Sequence, residues 1–210
     1  MRVFNNLFIV FMVFNCSSTK LTDSWRNPDY NTFKPKNILV IGVVQDLEAR
    51  KVFEFQLKNE LNKRRVNALQ STVVFEESFQ DSQQTEIEID AQVNKLLKAG
   101  YDSVLVSLVK GIGKNDSYSG KSSKFDYGLR KFIGYYLVYQ EAYFNQDYYN
   151  SYKVFHIETS LYNLKKDSGK SFVWSGTYDI VDPNNVKESI SAYVKAVIKS
   201  LEKEKLISKK

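Results

Sequence analysis

The chain has 210 residues, of which 43% are hydrophobic and 26% charged, and its formal net charge is +6. This length suits one domain, and the composition is ordinary for a globular protein. The basic excess is dispersed, which argues against nucleic-acid binding, where a clustered basic face is usual. A single cysteine excludes a fold held together by disulfides, and a single histidine excludes a multi-histidine metal site.

The first fifteen residues have the layout of a secretory signal peptide. Arg2 supplies positive charge, and an unbroken apolar run extends from Leu7 to Phe14. Eight helical residues cover only about 12 Å, against a hydrocarbon core of roughly 30 Å, so this run is too short to span a membrane. Its length is that of a signal-peptide hydrophobic region. We therefore expect residues 1–15 to be a signal peptide.

The signal segment ends at the only cysteine, Cys16. The sequence Val13-Phe14-Asn15-Cys16-Ser17 resembles a lipobox, where bacterial lipoprotein precursors are acylated on cysteine and cleaved before it. Phe14 and Asn15 are bulkier than usual, and such loose boxes resemble those of Bacteroidota lipoproteins. The alternative is a core cysteine in a buried helix, but no amphipathic pattern surrounds it. We expect acyl chains such as palmitate on Cys16 and attachment to the cell envelope, with Ser17 resembling an outer-membrane signal that faces the periplasm.

Residues 16–36 follow as a predicted lipid-anchored tether. They are mostly polar, contain Pro28 and Pro35, and show no sustained periodicity. Three aromatic residues are too apolar for a purely flexible linker. We expect the first part of the tether to be mobile and Trp25, Tyr30 and Phe33 to hold the rest against the domain.

Residues 37–203 are predicted to form a single α/β domain. The β-branched run from Asn37 to Val44 is typical of a strand buried on both faces. Helical and strand patterns then alternate: a helix over 46–64, a strand over 66–69, a helix around 89–97 and a strand over 103–109. This βαβαβ order predicts a core of parallel strands with right-handed crossovers.

The second half of the domain is predicted to begin with an insertion. Residues 111–124 form a Gly/Ser/Lys loop, and 125–152 are rich in tyrosine. A β-hairpin over 153–162 and 171–179 follows. Pairing positions whose numbers sum to 337 places one set of side chains on the core side of the sheet: Phe155, Ile157, Leu161, Phe172 and Trp174.

A long last helix, with a start signal at Asn185–Glu188, completes the domain. Residues 204–210 are predicted to be a basic tail. The overall expectation is a mixed sheet with helices packed on it.

Few residue patterns indicate catalysis. Gly120-Lys121-Ser122 resembles the end of a phosphate-binding P-loop, but Asn115 occupies a position that requires glycine. His156 and Glu158 lie two residues apart and suggest a base with an orienting carboxylate. A polar pair that faces solvent or a neighbouring loop is the favoured interpretation. We expect no enzyme activity, no cofactor and no metal.

A cluster of tyrosines is the strongest functional indication. Tyrosine is enriched at protein interfaces and at surfaces that stack on sugars. The alternative is that these rings cover the sheet, with their hydroxyl groups reaching water or backbone. The cluster comprises Tyr127, Tyr135, Tyr136, Tyr139, Tyr143, Tyr148, Tyr149 and Tyr152.

Several short motifs resemble those of a family of bacterial lipoproteins of unknown function. They cover nearly all of the chain after Cys16 and bring no catalytic residues with them. In element order the chain is also similar to the amino-terminal domain of TolB, the curli secretion lipoprotein and lipoprotein activators of penicillin-binding proteins. The motifs are Trp25-x-x-Pro28, Ile38–Val43, Glu48-Ala49-Arg50 with Glu54, Gly100–Val106, Glu158-Thr159-x-Leu161-Tyr162 and Val173–Gly176.

The resemblance and the composition together predict a non-enzymatic lipoprotein of the envelope. It is expected to bind an envelope protein partner through the tyrosine-rich segment and the 111–124 loop. One alternative is a lipoprotein that binds cell-wall glycan or peptidoglycan through the same aromatic residues. A third interpretation, held as the least favoured, is a hydrolase built around His156 and Glu158.

Overall fold

The computed structural model describes residues 19–44, 46–76, 79, 82–113, 132–133, 136, 154–165, 171–181 and 185–210. These residues form one six-stranded mixed sheet with helices packed on it. The strands are β1 (Thr19–Arg26), β2 (Asn37–Val43), β3 (Asn67–Gln70), β4 (Ser103–Gly113), β5 (Val154–Asn163) and β6 (Phe172–Val181). The helices are a 3-10 turn at Pro28–Tyr30, α1 (Leu47–Asn62), α2 (Ser71–Val74), α3 (Glu86–Lys98) and α4 (Val186–Lys203).

The strand order across the sheet is β1-β6-β5-β4-β2-β3. β2 pairs in parallel with β3 and β4, whereas β4–β5, β5–β6 and β6–β1 are antiparallel. Parallel neighbours need crossover connections, which α1, α2 and α3 make here. The predicted α/β class, with a βαβαβ core, a carboxy-terminal hairpin and a long last helix, is confirmed.

Side-chain caps fix the starts of the helices, and the last helix starts after Asn185 as the sequence predicts. The Asp46 carboxylate accepts the N–H groups of the first turn of α1, and the Asn185 side chain does the same for α4. Thr85 and Glu88 form a capping box at the start of α3. Such caps satisfy N–H groups that have no partner within the helix. As a result, the amino ends of α1 and α4 have defined positions beside the sheet.

The sheet is covered on both faces by apolar clusters. On one face, α1 and α4 pack against residues that include Trp174 and Tyr178 from β6. On the other, α3 packs against a cluster that includes Val104 and Val106 from β4. Adjacent residues of β2 and β4 belong to different clusters because successive side chains of a strand point to opposite faces. Both faces of these central strands are therefore covered, as the β-branched run of β2 predicts.

The segment predicted to be a tether instead contributes a strand at the edge of the sheet. β1 pairs with β6 from Thr19 to Arg26. Trp25 stacks on Phe172 with ring centroids 5.1 Å apart, and Tyr30 is buried. The sequence does not predict this strand. Five of its consecutive residues are exposed, so it lacks the alternation of apolar and polar residues that marks a half-buried strand. The folded residues therefore begin well before position 37.

The hairpin differs from the prediction in register but not in the choice of core face. Leu161 lies opposite Trp174, whereas the expected partner of Trp174 was Asn163. A shift of two residues leaves the alternation of faces unchanged. Phe172 is the exception, since a register shift beside Tyr162 places it in the cluster on the other face.

The end of the chain also differs from the predicted basic tail. Leu206 and Ile207 are buried in the same cluster as α4. Lys205 adopts a φ of 57°, which reverses the chain direction after the helix. The backbone N–H of Leu206 then donates to the carbonyl of Leu201 at 2.9 Å. The lysines of this segment thus flank residues that belong to the core.

Candidate functional site

A cavity of about 390 Å³ opens at the carboxyl ends of β2 and β4. The amino-terminal halves of α1 and α4 form its sides. In open α/β sheets, ligands bind outside the carboxyl ends of the strands, so this is the expected place for a site. We call it the apolar pocket, and the residues that line it are Gly42, Val43, Val44, Asp46, Ala49, Phe53, Ser107, Leu108, Val109, Phe155, Ile157, Ile180, Val186, Ser189, Ile190 and Tyr193.

The side chains of Tyr193, Ser107 and Asp46, which line the pocket, are engaged with other polar groups. Tyr193 shares a hydrogen bond with Thr159, which in turn lies 2.8 Å from the Ser107 hydroxyl. Burial raises the pKa of the Tyr193 hydroxyl far above its ordinary value, so Tyr193 is neutral at physiological pH. The Asp46 carboxylate caps α1. The surface that the described lining offers to a ligand is therefore mainly aliphatic and aromatic.

One exposed apolar side chain belongs to the lining of the pocket. Val186, the first residue of α4, lines it and is 55% exposed. The apolar character of the interior thus reaches the surface at this position.

One wall of the pocket depends on a glycine held by a buried carboxylate. A Cβ at Gly42 would lie only 3.1 Å from Phe53, so a side chain there would crowd the wall. The Gly42 N–H donates to Glu54 Oε1 at 2.8 Å. The same carboxylate accepts from Arg50 Nε at 3.1 Å and from the Ser71 hydroxyl at 2.6 Å. This cluster joins α1, β2 and α2 behind the pocket wall.

Neither this cluster nor the pocket is predicted by the sequence. Arg50 and Glu54 belong to the motifs of the family resemblance, but no pattern predicts that they are only 4% and 0% exposed. An acidic residue that is spaced four positions after an arginine usually lies on a solvated helix face. The signal that was available is the position of Glu54 on the apolar side of α1, one residue after Phe53 and three before Leu57.

The structure places His156 and Glu158 apart from the pocket. They alternate along β5 with Phe155 and Ile157, which line it, so they lie on the opposite face of the sheet. Both are buried, and the predicted solvent-facing location is wrong. Asp179 lies 2.6 Å from His156 Nδ1, at the hydrogen-bonding distance where the prediction had Glu158.

Glu158 belongs to a separate buried pair with Lys110. Its carboxylate bonds to the Lys110 ammonium group and accepts a hydrogen bond from Ser160 at 3.2 Å. A buried carboxylate with a cationic partner is a satisfied structural group. The supposed base and orienter thus have different partners, Asp179 for His156 and Lys110 for Glu158.

Of the predicted binding residues, Tyr136 lies within the described part of the chain. It is half-buried and packs against the apolar cluster on the α3 side, near the rings of Phe79 and Phe132. This position agrees with the alternative in which tyrosine rings cover the sheet. Cys16 and seven tyrosines lie outside the described residues: Tyr127, Tyr135, Tyr139, Tyr143, Tyr148, Tyr149 and Tyr152.

Two further searches concern only the residues that the structure describes. Among them, no helix is both long and apolar enough to cross a membrane. Within the same residues, no three histidine, cysteine or acidic side chains are grouped so as to hold a metal ion.

No protein-family model and no curated protein matches the chain. Among solved structures, it is similar to the lipoprotein GNA1162 from Neisseria meningitidis, with 17% identity, a TM-score of 0.41, and coverage of 80% of this chain and 99% of that one. It is also similar to the PelC dodecamer from Paraburkholderia phytofirmans, with 10% identity, a TM-score of 0.41, and coverage of 91% and 98%. The Neisseria protein is thus a bacterial lipoprotein, but at TM-scores this low neither likeness supports an argument about this chain.

Proposed function

We propose that this chain is a lipid-anchored envelope protein whose α/β domain works by binding an apolar group, not by catalysis. The observation that carries the proposal is the apolar pocket at the carboxyl ends of β2 and β4. A well-formed apolar cavity with few polar groups is the usual form of a small-ligand site. Its volume of about 390 Å³ lies within the range of such sites.

The position of β1 supports the anchoring part of the proposal. Thr19, the first residue of the strand, follows Cys16 by three positions. Even when fully extended, three residues span only about 11 Å. A lipid on Cys16 would therefore hold the edge of the sheet close to the membrane surface, without a long tether. We also propose that the protein lies at the outer membrane and faces the periplasm, because Ser17 resembles an outer-membrane signal.

The buried carboxylates already have hydrogen-bonding partners within the protein, and this supports a binding function over a catalytic one. Glu54 accepts from Gly42 and Arg50, and Glu158 and Asp179 bond to Lys110 and His156. A catalytic base must instead have a position within hydrogen-bonding distance of a substrate. Buried polar pairs that join elements of the fold are better suited to fixing the shape of a domain.

The tyrosine-rich segment remains our proposed surface for an envelope protein partner. Tyrosine supplies rigid amphipathic contact area, which suits such a surface. The proposal rests on composition, and Tyr136 shows that a ring from this segment also serves the core. Loss of partner cross-linking in Tyr148→Ala or Tyr149→Ala, with no loss in Lys20→Ala at an exposed position of β1, is the expected result.

Intact mass of the protein extracted from bacterial membranes tests the anchor. We expect removal of residues 1–15 and acyl groups on Cys16. The Cys16→Ser variant should lack both changes, whereas the matched Ser17→Ala variant should keep them. A wild-type mass that retains residues 1–15, or that lacks acyl groups, would contradict the proposal.

A further inference from the structure

The pocket and the first residue of β1 lie at the same end of the sheet. Thr19 is the register partner of Ile180 in the β1–β6 pairing, and Ile180 lines the pocket. Neighbouring strands are about 4.8 Å apart. Cys16 is three residues before Thr19, which limits its distance from that residue to about 11 Å. An acyl chain attached there starts within a short distance of the pocket mouth.

We propose that the apolar pocket takes one fatty acyl chain of the lipid on Cys16. This inference rests on the acylation proposed above and names the apolar group that the pocket binds. The aliphatic lining matches the chemistry of an acyl chain, which needs no hydrogen-bonding partner. The exposed side chain of Val186, which lines the pocket, extends that apolar surface from the interior toward solvent.

Attachment makes the anchor's own acyl chain a favoured occupant. A ligand linked by a short segment has a local concentration in the millimolar range, set by the length of the linker. When the domain is detached from the membrane, acyl chains of free lipids compete for the pocket without the high local concentration that attachment gives. The bilayer is the competing environment for the anchor, because it removes the same methylene groups from water as the pocket does.

The proposal has a consequence for anchoring. A single acyl chain holds a protein to a membrane only marginally, whereas two hold it firmly. For an anchor with two acyl chains, withdrawal of one chain into the pocket leaves a single chain in the membrane and weakens attachment, and its release strengthens it. Whatever displaces the chain from the pocket, such as an apolar side chain of a partner, would then couple binding to membrane attachment.

Photo-cross-linking of the full chain in cells tests the occupant. Cells are fed a fatty acid with a terminal diazirine, which enters both the lipid on Cys16 and the membrane phospholipids. After irradiation, peptides are identified by mass. We expect the peptide that contains Val186 and Tyr193 to be joined to the peptide that carries Cys16. If that pocket peptide is joined only to phospholipid, the pocket takes a membrane lipid and the proposed source is wrong.

Two matched variants show whether the cross-link reports the pocket. Val186→Asp places a charge at the mouth, where the exposed position lets the domain fold and an acidic residue suits the first turn of α4. It should reduce the cross-link about tenfold or more, because an apolar chain would have to pass a charged group. Ile87→Asp is the control: Ile87 is 82% exposed on α3, across the sheet from the pocket. Equal cross-linking in both variants would overturn the inference.

A failure of the anchoring proposal can be distinguished from a failure of the acyl-binding proposal. If the intact mass shows no acyl group on Cys16, the proposed source is overturned along with the anchor. Addition of the free photoreactive fatty acid to the unacylated Cys16→Ser chain then tests the pocket alone. Labelling of the Val186 peptide there, competed by unlabelled fatty acid, supports an acyl-binding pocket. Absence of labelling overturns it, whatever the state of Cys16.

Discussion

The backbone N–H of Gly42 donates to the carboxylate of Glu54 at 2.8 Å, which attaches a wall of the apolar pocket to helix α1. Glu54 is fully buried, and so is the Arg50 guanidinium that pairs with it at 3.1 Å. The carboxylate of Glu54 therefore connects the pocket wall directly to the buried ion pair. A change in the pair is expected to alter both stability and the pocket.

Replacement of Glu54 by glutamine should strongly destabilise the domain. The variant leaves the Arg50 charge buried without its counter-charge, which costs about 3–5 kcal/mol in comparable cases. Urea denaturation monitored by tryptophan fluorescence measures the loss. Glu48→Gln is the control, since its pair with Lys51 is exposed and should contribute about 0–1 kcal/mol. Similar losses in the two variants would contradict a structural role for the Arg50–Glu54 pair.

The buried Tyr193 hydroxyl should make the domain sensitive to alkaline pH. Burial raises its pKa, and hydrogen bonds with Ser107 and Thr159 oppose that shift only in part. An unfolded tyrosine ionises near pH 10, whereas the folded one keeps its proton there. The unfolded state thus binds fewer protons above pH 10, so the free energy of unfolding falls as pH rises, by up to about 1.4 kcal/mol per pH unit. Below pH 10 this contribution is fully present.

Tyr193→Phe separates this effect from other alkaline titrations. The variant should be less stable at pH 8, because Thr159 loses a hydrogen-bonding partner. Above pH 10, its stability should decline less steeply than that of the wild type. Urea midpoints measured between pH 8 and pH 11 give both slopes. Parallel curves would show that Tyr193 does not titrate between the folded and unfolded states in this range.

Strand β1 should depend on Trp25 for its attachment to the sheet. The Trp25 ring stacks on Phe172 with an angle of 8° between the planes. Trp25→Ala should cost roughly 2–4 kcal/mol, less than a fully buried aromatic residue would, because Trp25 is only half-buried. Hydrogen exchange should show faster exchange in β1 than in β2 or β4. Lys20→Ala, at an exposed position of the same strand, should leave the β1 amides protected.

The elements that the sequence predicted well are those whose signals are local. The β-branched run of β2 and the capping residues Asp46 and Asn185 mark their elements within a few positions. β1 gave no such signal because its outward side is solvated and polar. Its strand identity comes from backbone pairing with β6, whose paired residues are 148 to 161 positions away along the chain. Pairing of that kind leaves little trace in local periodicity.

The pocket was beyond sequence reasoning for a similar reason. Its walls come from β2, β4, β5, β6, α1 and α4, and most of the lining residues are apolar types that are ordinary in a core. Only the assembly of strand ends and helix starts at one place creates the cavity. His156 and Glu158 illustrate the opposite error. Their polar types suggested solvent, but Asp179 and Lys110 from adjacent strands allow them to be buried.

Substitutions near the end of the sequence test whether residues 204–210 pack in the core or form a solvated tail. Leu206 is completely buried against the α1 and α4 side of the sheet, although lysines flank it. Leu206→Ala should therefore cost about 2–5 kcal/mol, as removal of a buried leucine does elsewhere. Lys209→Ala, three residues further on, should change stability by no more than about 0.5 kcal/mol. Thermal denaturation of both variants decides between them, because a solvated tail predicts no difference and a packed segment predicts a large one.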